Sequence, residues 1–436
     1  MTQEVSLFHP SRRAYRFSVL LFVSLLTYGS YFAYDSLGAI APMLIEALGV
    51  DRAAVGATYT VYSIAAIVSV FLGGLLIDKI GTRKASLIFS SLVVLGTIIV
   101  AIAPSLWLLY VGRFIFGAGS ESLVVAQSAI IARWFKGKEL ALAFGIALTI
   151  SRLGTLFSFN TEALIASFFG KYQYALWAAV LFCVVSLLSN LIYNILDKRG
   201  EHALDLKEEG AGDKIVLSDI KKFKSSYWYV TLLCVTFYSA IFPFTALSTD
   251  FFHDKWGLPM EAGGSGGFLS QVFSNLIHMF TTAGGTTSII IFASMVFAPF
   301  AGSLVDKIGR RASLMMIGSI LMIPSYIIMG YTTVNPAIPM IILGAAFVLV
   351  PAAMWPAVPL IVQKERVGTA FGLMTMIQNI GLATFPWLNG LLRDFTHTYK
   401  ASMLMFASLG AFGLLFAVLL LRADRREGGK LENPHG

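Results

Sequence analysis

The sequence predicts an all-α membrane protein of twelve transmembrane helices in two six-helix halves. Three observations carry this. The 436 residues are 57% hydrophobic and only 13% charged, whereas ordinary soluble domains carry about 25% charge. Apolar runs near the roughly 20 residues that span a bilayer as helix recur along the whole chain. Finally, "GLLIDKIGTRK", beginning at Gly74, returns as "GSLVDKIGRRA", beginning at Gly302, an offset of about half the chain.

The apolar runs fall at 17–45, 54–77, 85–104, 106–132, 140–166 and 173–196, and again at 227–250, 286–305, 312–332, 336–362, 367–391 and 401–421. The first 16 residues are polar and basic, and no small-residue cleavage site follows, so the first run is read as an uncleaved span. Lys and Arg set the orientation. They crowd the N-terminal segment, the connections after every even span and the C-terminal tail, leaving only Arg52, Lys171, Lys255, Arg393 and Lys400 on the opposite side. Both termini are therefore expected in the cytoplasm. The net charge of +8 follows from this bias and requires no nucleic-acid partner. The charged stretch at 197–226 reads as a cytoplasmic linker between halves 1–196 and 227–421, with 422–436 as a cytoplasmic tail. Cys183 and Cys234 both lie in apolar runs, which implies no disulfide framework.

Two like halves of the same topology are the signature of a parallel-repeat transporter. Within such a bundle a charged side chain is expensive, about 2.5–3.5 kcal/mol at the bilayer centre on insertion scales. Glu121 in "GAGSESLVVAQ" and Arg152 in "LTISRLGT" both incur that cost. Each stands about a dozen residues from the connection at 133–139, so a rise of about 1.5 Å per residue puts them at nearly equal depth. An acid and a base at one depth suit a zwitterion, Arg152 taking a carboxylate and Glu121 an ammonium. The same pair also fits a structural ion pair joining spans 4 and 5, or a proton relay through Glu121. Arg113, nearer the other end of span 4, is expected to bond carbonyls of neighbouring helices.

The repeated G-x-x-x-D-K-I-G-x-R segment and "GRFIFGAG" at 112–119 resemble motifs of the major facilitator superfamily. The match covers Gly74, Asp78, Gly81 and Arg83 after span 2, and Gly302, Asp306, Gly309 and Arg310 after span 8. The resemblance implies that superfamily's fold and a conformational latch at these loops. A narrower set resembles the lysosomal dipeptide uniporter branch: "GSYFAYDSLGA", "GSESLVVAQSAIIARWFKGKELALAFG", "SRLGTLFSFN", "FYSAIFPF", "AAMWP" and "GTAFGLMTMIQNIGLA". That resemblance implies facilitated diffusion of dipeptides, with Glu121 at the peptide N-terminus and Arg152 at its C-terminus.

Further positions in these blocks are candidate substrate contacts. Trp355, before Pro356, is expected to wall a cavity. Gln378 and Asn379 either hydrogen-bond peptide amides or join helices. Asn160, two turns beyond Arg152, would extend the polar track. Tyr34 and Tyr62 mark spans 1 and 2, with Tyr31, Asp35 and Tyr59 nearby. Tyr238 and Phe242 share a face of span 7 before a break expected at Pro243.

The stretch 260–285 departs from the family. Phe268, Leu269, Val272, Phe273, Leu276, Ile277 and Phe280 repeat at helical spacing, which predicts an outer interfacial helix at about 268–280 lying against membrane lipid. No acidic dileucine signal occurs in the tails or linker. This favours a bacterial inner membrane over lysosomal sorting, and a monomer without an accessory subunit. No Walker loop, H-E-x-x-H or Cys/His cluster occurs, so no enzyme activity, cofactor or metal is expected. The Gly-Pro pair of drug antiporters is missing from 140–166. Besides dipeptide uniport, the alternatives are a proton-linked symporter of small organic anions or peptides and a non-transporting membrane receptor or scaffold.

Overall fold

The structure, a computed structural model, describes residues 10, 12–135, 139–204, 220, 222–263, 266–363 and 366–433. Much of the expected linker therefore lies outside the described residues. No strand forms among those described. The helices are α1 (Arg13–Ala39), α2 (Ala41–Leu48), α3 (Arg52–Ile102), α4 (Leu106–Phe135), α5 (Leu140–Phe169), α6 (Tyr172–Leu204), α7 (Ser225–Thr245), α8 (Ser248–Trp256), α9 (Phe268–Ile277), α10 (Ala283–Ile308), α11 (Arg311–Tyr331), α12 (Ala337–Ile361), α13 (Val367–Thr396) and α14 (Lys400–Glu427).

Ten of these are long and apolar enough to cross a membrane. One of the ten, α3, has 51 residues and breaks at Gly81, whose φ of 81° and ψ of 161° lie outside helical space. It supplies two passages. α13 has the length at 30 residues but is less apolar, because Gln378 and Asn379 interrupt its run. With it the described residues supply twelve passages. The repeated loop motif is mirrored in the backbone, since Gly309 also has a positive φ of 70°. Glycine reaches such angles without the steric cost that a Cβ imposes.

Some boundaries differ from expectation. α7 runs through Pro243 and ends only after Thr245. Proline removes one helical hydrogen bond but so near a C-terminus there is little helix left to break, and Asn389 Nδ2 donates to the Pro243 carbonyl at 3.2 Å. α6 continues beyond 196 to Leu204. The reason is Asp197, which is fully buried and accepts from Trp134 Nε1 at 2.6 Å and from Arg133. Arg83 Nε lies 3.7 Å from the same carboxylate and its Nη1 2.6 Å from Glu201.

The helices form two compact units that do not follow the midpoint of the chain. Unit 1 holds residues 1–36, 65–158 and 173–212; unit 2 holds 37–64, 159–172 and 213–436. Unit 2 thus takes the end of α1, the start of α3 and the end of α5 into the packing of α7–α14. Thr249 Oγ1 donates to the Gly38 carbonyl at 2.5 Å, Thr60 Oγ1 to that of Ala383 at 2.5 Å, and Asn160 Nδ2 to Ser288 Oγ at 2.9 Å. Arg52 Nε donates to Asp250 Oδ2 at 2.5 Å, while the Ala53 amide at the start of α3 donates to Asp394 at 2.8 Å.

α9 and a short 3-10 turn, Met279–Thr281, occupy the predicted 268–280 stretch. Leu269, Phe273, Ile277 and Phe280 are exposed. Asn275 is buried instead, donating to the Asn160 carbonyl at 2.6 Å and accepting from the Ala262 amide at 2.6 Å. Asn275 and Phe268, which packs on Phe168 and Phe169, therefore hold the helix to the end of α5, while most of the remaining apolar side chains are exposed.

Candidate functional site

In unit 1 three helices are registered by polar contacts. Thr27 on α1 and Ser151 on α5 share a hydrogen bond of 2.6 Å, and Gln127 on α4 donates to the Val23 carbonyl and to Thr27 Oγ1, both at 2.9 Å. Farther along, Thr155 Oγ1 donates to Asp35 Oδ2 at 2.7 Å. Arg113, 1% exposed, donates to the carbonyls of Ala33 and Tyr34 at 3.3 and 3.4 Å and lies over the Tyr34 and Phe116 rings. It bonds carbonyls, as its place in the sequence implies.

These contacts bracket Glu121 and Arg152. Arg152 stands between Ser151 and Thr155 on α5, and Glu121 lies between Arg113 and Gln127 on α4. On α1 the corresponding residue is Tyr31, and the charges of Glu121, Arg152 and Asp35 all act on its hydroxyl. Glu121, Arg152, Tyr31 and Tyr34 are each half-buried, whereas Asp35 is buried. Neighbouring groups engage both Glu121 and Arg152. A close helix approach sustains this register, because a Cβ on Gly154 would lie 3.1 Å from the Phe32 amide nitrogen and against the Tyr28 carbonyl. Glu121 and Arg152 thus lie within electrostatic reach of Tyr31, between bonded residues of their own helices, a pairing of acid and base that suits both ends of a zwitterion.

Unit 2 gathers a second group. Trp355 Nε1 donates to Tyr238 Oη at 3.0 Å. Tyr238 stacks on Phe242 with centroids 5.8 Å apart, Phe242 meets Phe347 edge-on at 5.7 Å, and Trp355 contacts Phe371 at 5.8 Å. Trp355 and Phe242 are half-buried, so this aromatic set keeps an accessible surface. Gln378 Oε1 accepts from Cys234 Sγ at 3.4 Å. Asn379 is buried, and its Nδ2 donates to the Thr375 carbonyl of its own helix at 3.1 Å. Asn160 is committed to Ser288, and Tyr62 is buried.

Of the repeated loop motifs, Gly74 and Asp78 lie in α3, Gly81 at its break, and Arg83 beside α6. Gly302 and Asp306 lie in α10; the Asp306 side chain is outside the described residues. Gly309 and Arg310 form the connection to α11, with Arg310 exposed and at φ 27°. Among the described residues no cluster of His, Cys, Asp or Glu could hold a metal ion.

Sequence reasoning missed two features. Glu162 on α5 is fully buried, and neither of its carboxylate oxygens has a hydrogen-bond partner. Its signal was an acid inside the run "FNTEALIASFF", near the end of a span. The second is the ion cluster of Arg52, Asp250 and Asp394, which reads in sequence as ordinary loop charges.

The family model of the Major Facilitator Superfamily matches residues 20–281 and 265–435. The lysosomal dipeptide transporter MFSD1 of Danio rerio is 35% identical over 96% of this chain and 90% of its own length. MFSD1 of Homo sapiens is 33% identical over 97% of this chain and 89% of its length. Among solved structures, the crystal structure of peptide transporter POT in complex with sulfate has a TM-score of 0.70 at 14% identity, covering 95% of this chain and 96% of that one; the likeness there is of fold. The chain belongs to the major facilitator superfamily of membrane transporters, in the branch of the lysosomal dipeptide transporter MFSD1.

Proposed function

We propose that this transporter carries dipeptides by facilitated diffusion. The observation that supports it most directly is that Glu121 and Arg152 both act electrostatically on Tyr31, beside the hydrogen bonds that register α1, α4 and α5. A dipeptide is a zwitterion whose charged ends lie about 7 Å apart when extended. Arg152 holds the carboxylate through its planar fork, Glu121 accepts from the ammonium, and the Tyr31 hydroxyl orients the group between them. Tyr34, Tyr62, Asn160, Tyr238, Phe242, Trp355, Gln378 and Asn379 are proposed as substrate contacts during the cycle. Relatives named as dipeptide transporters at 33–35% identity support the substrate class.

The positive-inside bias supports cytoplasmic termini and an outer position for the Arg52–Asp250 cluster. We infer that the ends of α1, α3 and α5, which pack within unit 2, are the parts that separate when the outer side opens. In this reading transport alternates as the two six-helix halves rock around the site, with the loops at Gly74–Arg83 and Gly302–Arg310 serving the cytoplasmic side. We place the protein in a bacterial inner membrane, as a monomer with no accessory subunit.

Uptake of a dipeptide panel into liposomes, with and without an imposed pH gradient, tests the reading. Equilibration of dipeptide without accumulation is expected. Proton-driven accumulation against a gradient would overturn uniport in favour of symport, and no flux together with no ligand-induced thermal shift would favour a non-transporting receptor or scaffold.

A further inference from the structure

Glu162 stands in the last third of α5, among residues that pack into unit 2. Its relative exposure is 0%, and those of its helix neighbours Phe159, Asn160, Ala163 and Leu164 are 1–3%. Among the described residues, the contacts that α9 and α10 make with this part of α5 are polar or apolar rather than charged. α9 contributes Asn275, which bonds the Asn160 carbonyl, and Phe268, which packs on Phe168 and Phe169. α10 contributes Ser288, which accepts from Asn160, and Gly284, whose backbone lies against that of Phe159. The titratable residues of the 260–285 stretch are Glu261, half-buried beside the Ala262 amide that Asn275 accepts from, and His278, exposed and turned to the Ser274 carbonyl. Among the described residues Glu162 has no ion pair and no hydrogen bond.

An isolated ionised carboxylate costs far more to bury than a neutral one, and a group so placed takes up a proton rather than remain charged. We propose that Glu162 is a proton-binding site, occupied while the ends of α1, α3 and α5 are packed within unit 2 and emptied when they part. On parting, water reaches the carboxyl group, its O–H bond breaks, the electron pair stays on the carboxylate and the proton passes to water. The charged carboxylate then resists reburial, so repacking requires a proton from the same aqueous side. Proton uptake and release on one side carry no net proton across the membrane, which keeps the site compatible with uniport. The result is a transporter whose outer opening is favoured by alkaline and opposed by acidic conditions on that side. This rests on the reading that the packed ends separate during transport.

The test places spin labels at Lys171→Cys and Thr333→Cys, both exposed, in a Cys183→Ala/Cys234→Ala background reconstituted in nanodiscs. Double electron–electron resonance is recorded from pH 5 to pH 8 with dipeptide present. One linked proton changes the ratio of packed to parted forms by up to about tenfold per pH unit. The native Glu162 protein is expected to show this response, rising toward the parted form with pH. Glu162→Gln, a neutral mimic of the protonated acid, is expected to stay packed and change less than about twofold, whereas Glu162→Asp retains a pH response. A native-like response in Glu162→Gln overturns the proton site but leaves the transport reading standing. A response that follows sodium at constant pH also overturns it. If the labels never separate at any pH, both the site and the alternating reading fail. Monodisperse Glu162→Gln protein that still binds dipeptide guards against a folding artefact.

Discussion

Arg52 grips Asp250 in a two-point contact, Nε to Oδ2 at 2.5 Å and Nη2 to Oδ1 at 3.2 Å, joining residues 198 apart in sequence. Asp250 is 4% exposed and also accepts from the Tyr399 hydroxyl. Hydrogen bonds to charged groups contribute about 1.5–3 kcal/mol each, so this cluster holds the start of α3 firmly against α8 and the end of α13. Asp250→Asn is expected to lower the folded-state melting temperature and shift the Lys171–Thr333 label distance toward the parted form, a loss of about 2 kcal/mol. Arg52→Lys does not restore it, because an ammonium cannot supply the planar two-point donor set. Asp254→Asn, whose exposed carboxylate meets Arg393 at 3.0 Å, changes stability by less than about 1 kcal/mol. Thermal unfolding followed by tryptophan fluorescence and resonance distances check all three.

Glu121 and Arg152 are proposed to divide a dipeptide between them, and their variants separate binding from folding. Glu121→Gln and Arg152→Ala are each expected to weaken dipeptide binding by at least about a hundredfold, equivalent to roughly 3 kcal/mol, while the protein stays monodisperse. Arg152→Lys recovers little, since bidentate capture is lost. Isothermal titration with free, N-acetylated and C-amidated dipeptides identifies each end. N-acetylated peptides that bind as tightly as free ones would remove Glu121 from the ammonium site. A loss of folding in Glu121→Gln would make it a helix-joining residue.

The fold was legible, and this charge pair stood out as a candidate site, for a shared reason: in a bilayer, burial is expensive for charge and obligatory for apolar residues. Apolar runs therefore mark spans, and Glu121 and Arg152 stand out within two of them. The Arg52 cluster gave no such signal, because its members sit at the ends of runs where charges are expected, and only three-dimensional packing brings residues 52, 250 and 394 together. Glu162 stood inside a run yet close to its end, where a water-facing side chain is the ordinary outcome. Its isolation depends on α9 and α10, more than a hundred residues later in the chain. The hydrogen bond from Asn160 to Ser288 was likewise invisible, since its partner lies 128 residues later in the chain.

The hydrogen bond from Trp355 to Tyr238 orders the aromatic group of unit 2. Tyr238→Phe keeps the stack on Phe242 but leaves the indole N–H without its acceptor, a loss of about 1 kcal/mol. The expected result is a roughly fivefold weaker apparent affinity in liposome uptake. Trp355→Phe, which removes the donor along with part of the ring surface, reduces uptake further. Unchanged uptake in both variants would place this group outside the route of the substrate.

Gly154 tests whether helix spacing sets the position of Arg152. Alanine is favoured over glycine within a helix by about 1 kcal/mol, so a substitution with free space around it stabilises α5. Gly145, one such site on the same helix, has no atom within 4 Å of where an added Cβ would sit, and Gly145→Ala is expected to raise the melting temperature slightly with binding unchanged. At Gly154 the Cβ meets backbone of α1, the Phe32 nitrogen at 3.1 Å and the Tyr28 carbonyl, and backbone cannot rotate away as a side chain can. Overpacking of this kind costs about 1–3 kcal/mol, which outweighs the gain in helix propensity. Gly154→Ala is therefore expected to lower the melting temperature. It also moves α5 away from Tyr31 and so weakens dipeptide binding by about tenfold or more, since misplacement of a charged clamp by a fraction of an ångström degrades both of its hydrogen bonds. Binding and stability both equal to those of Gly145→Ala would show that the α1–α5 contact does not position Arg152.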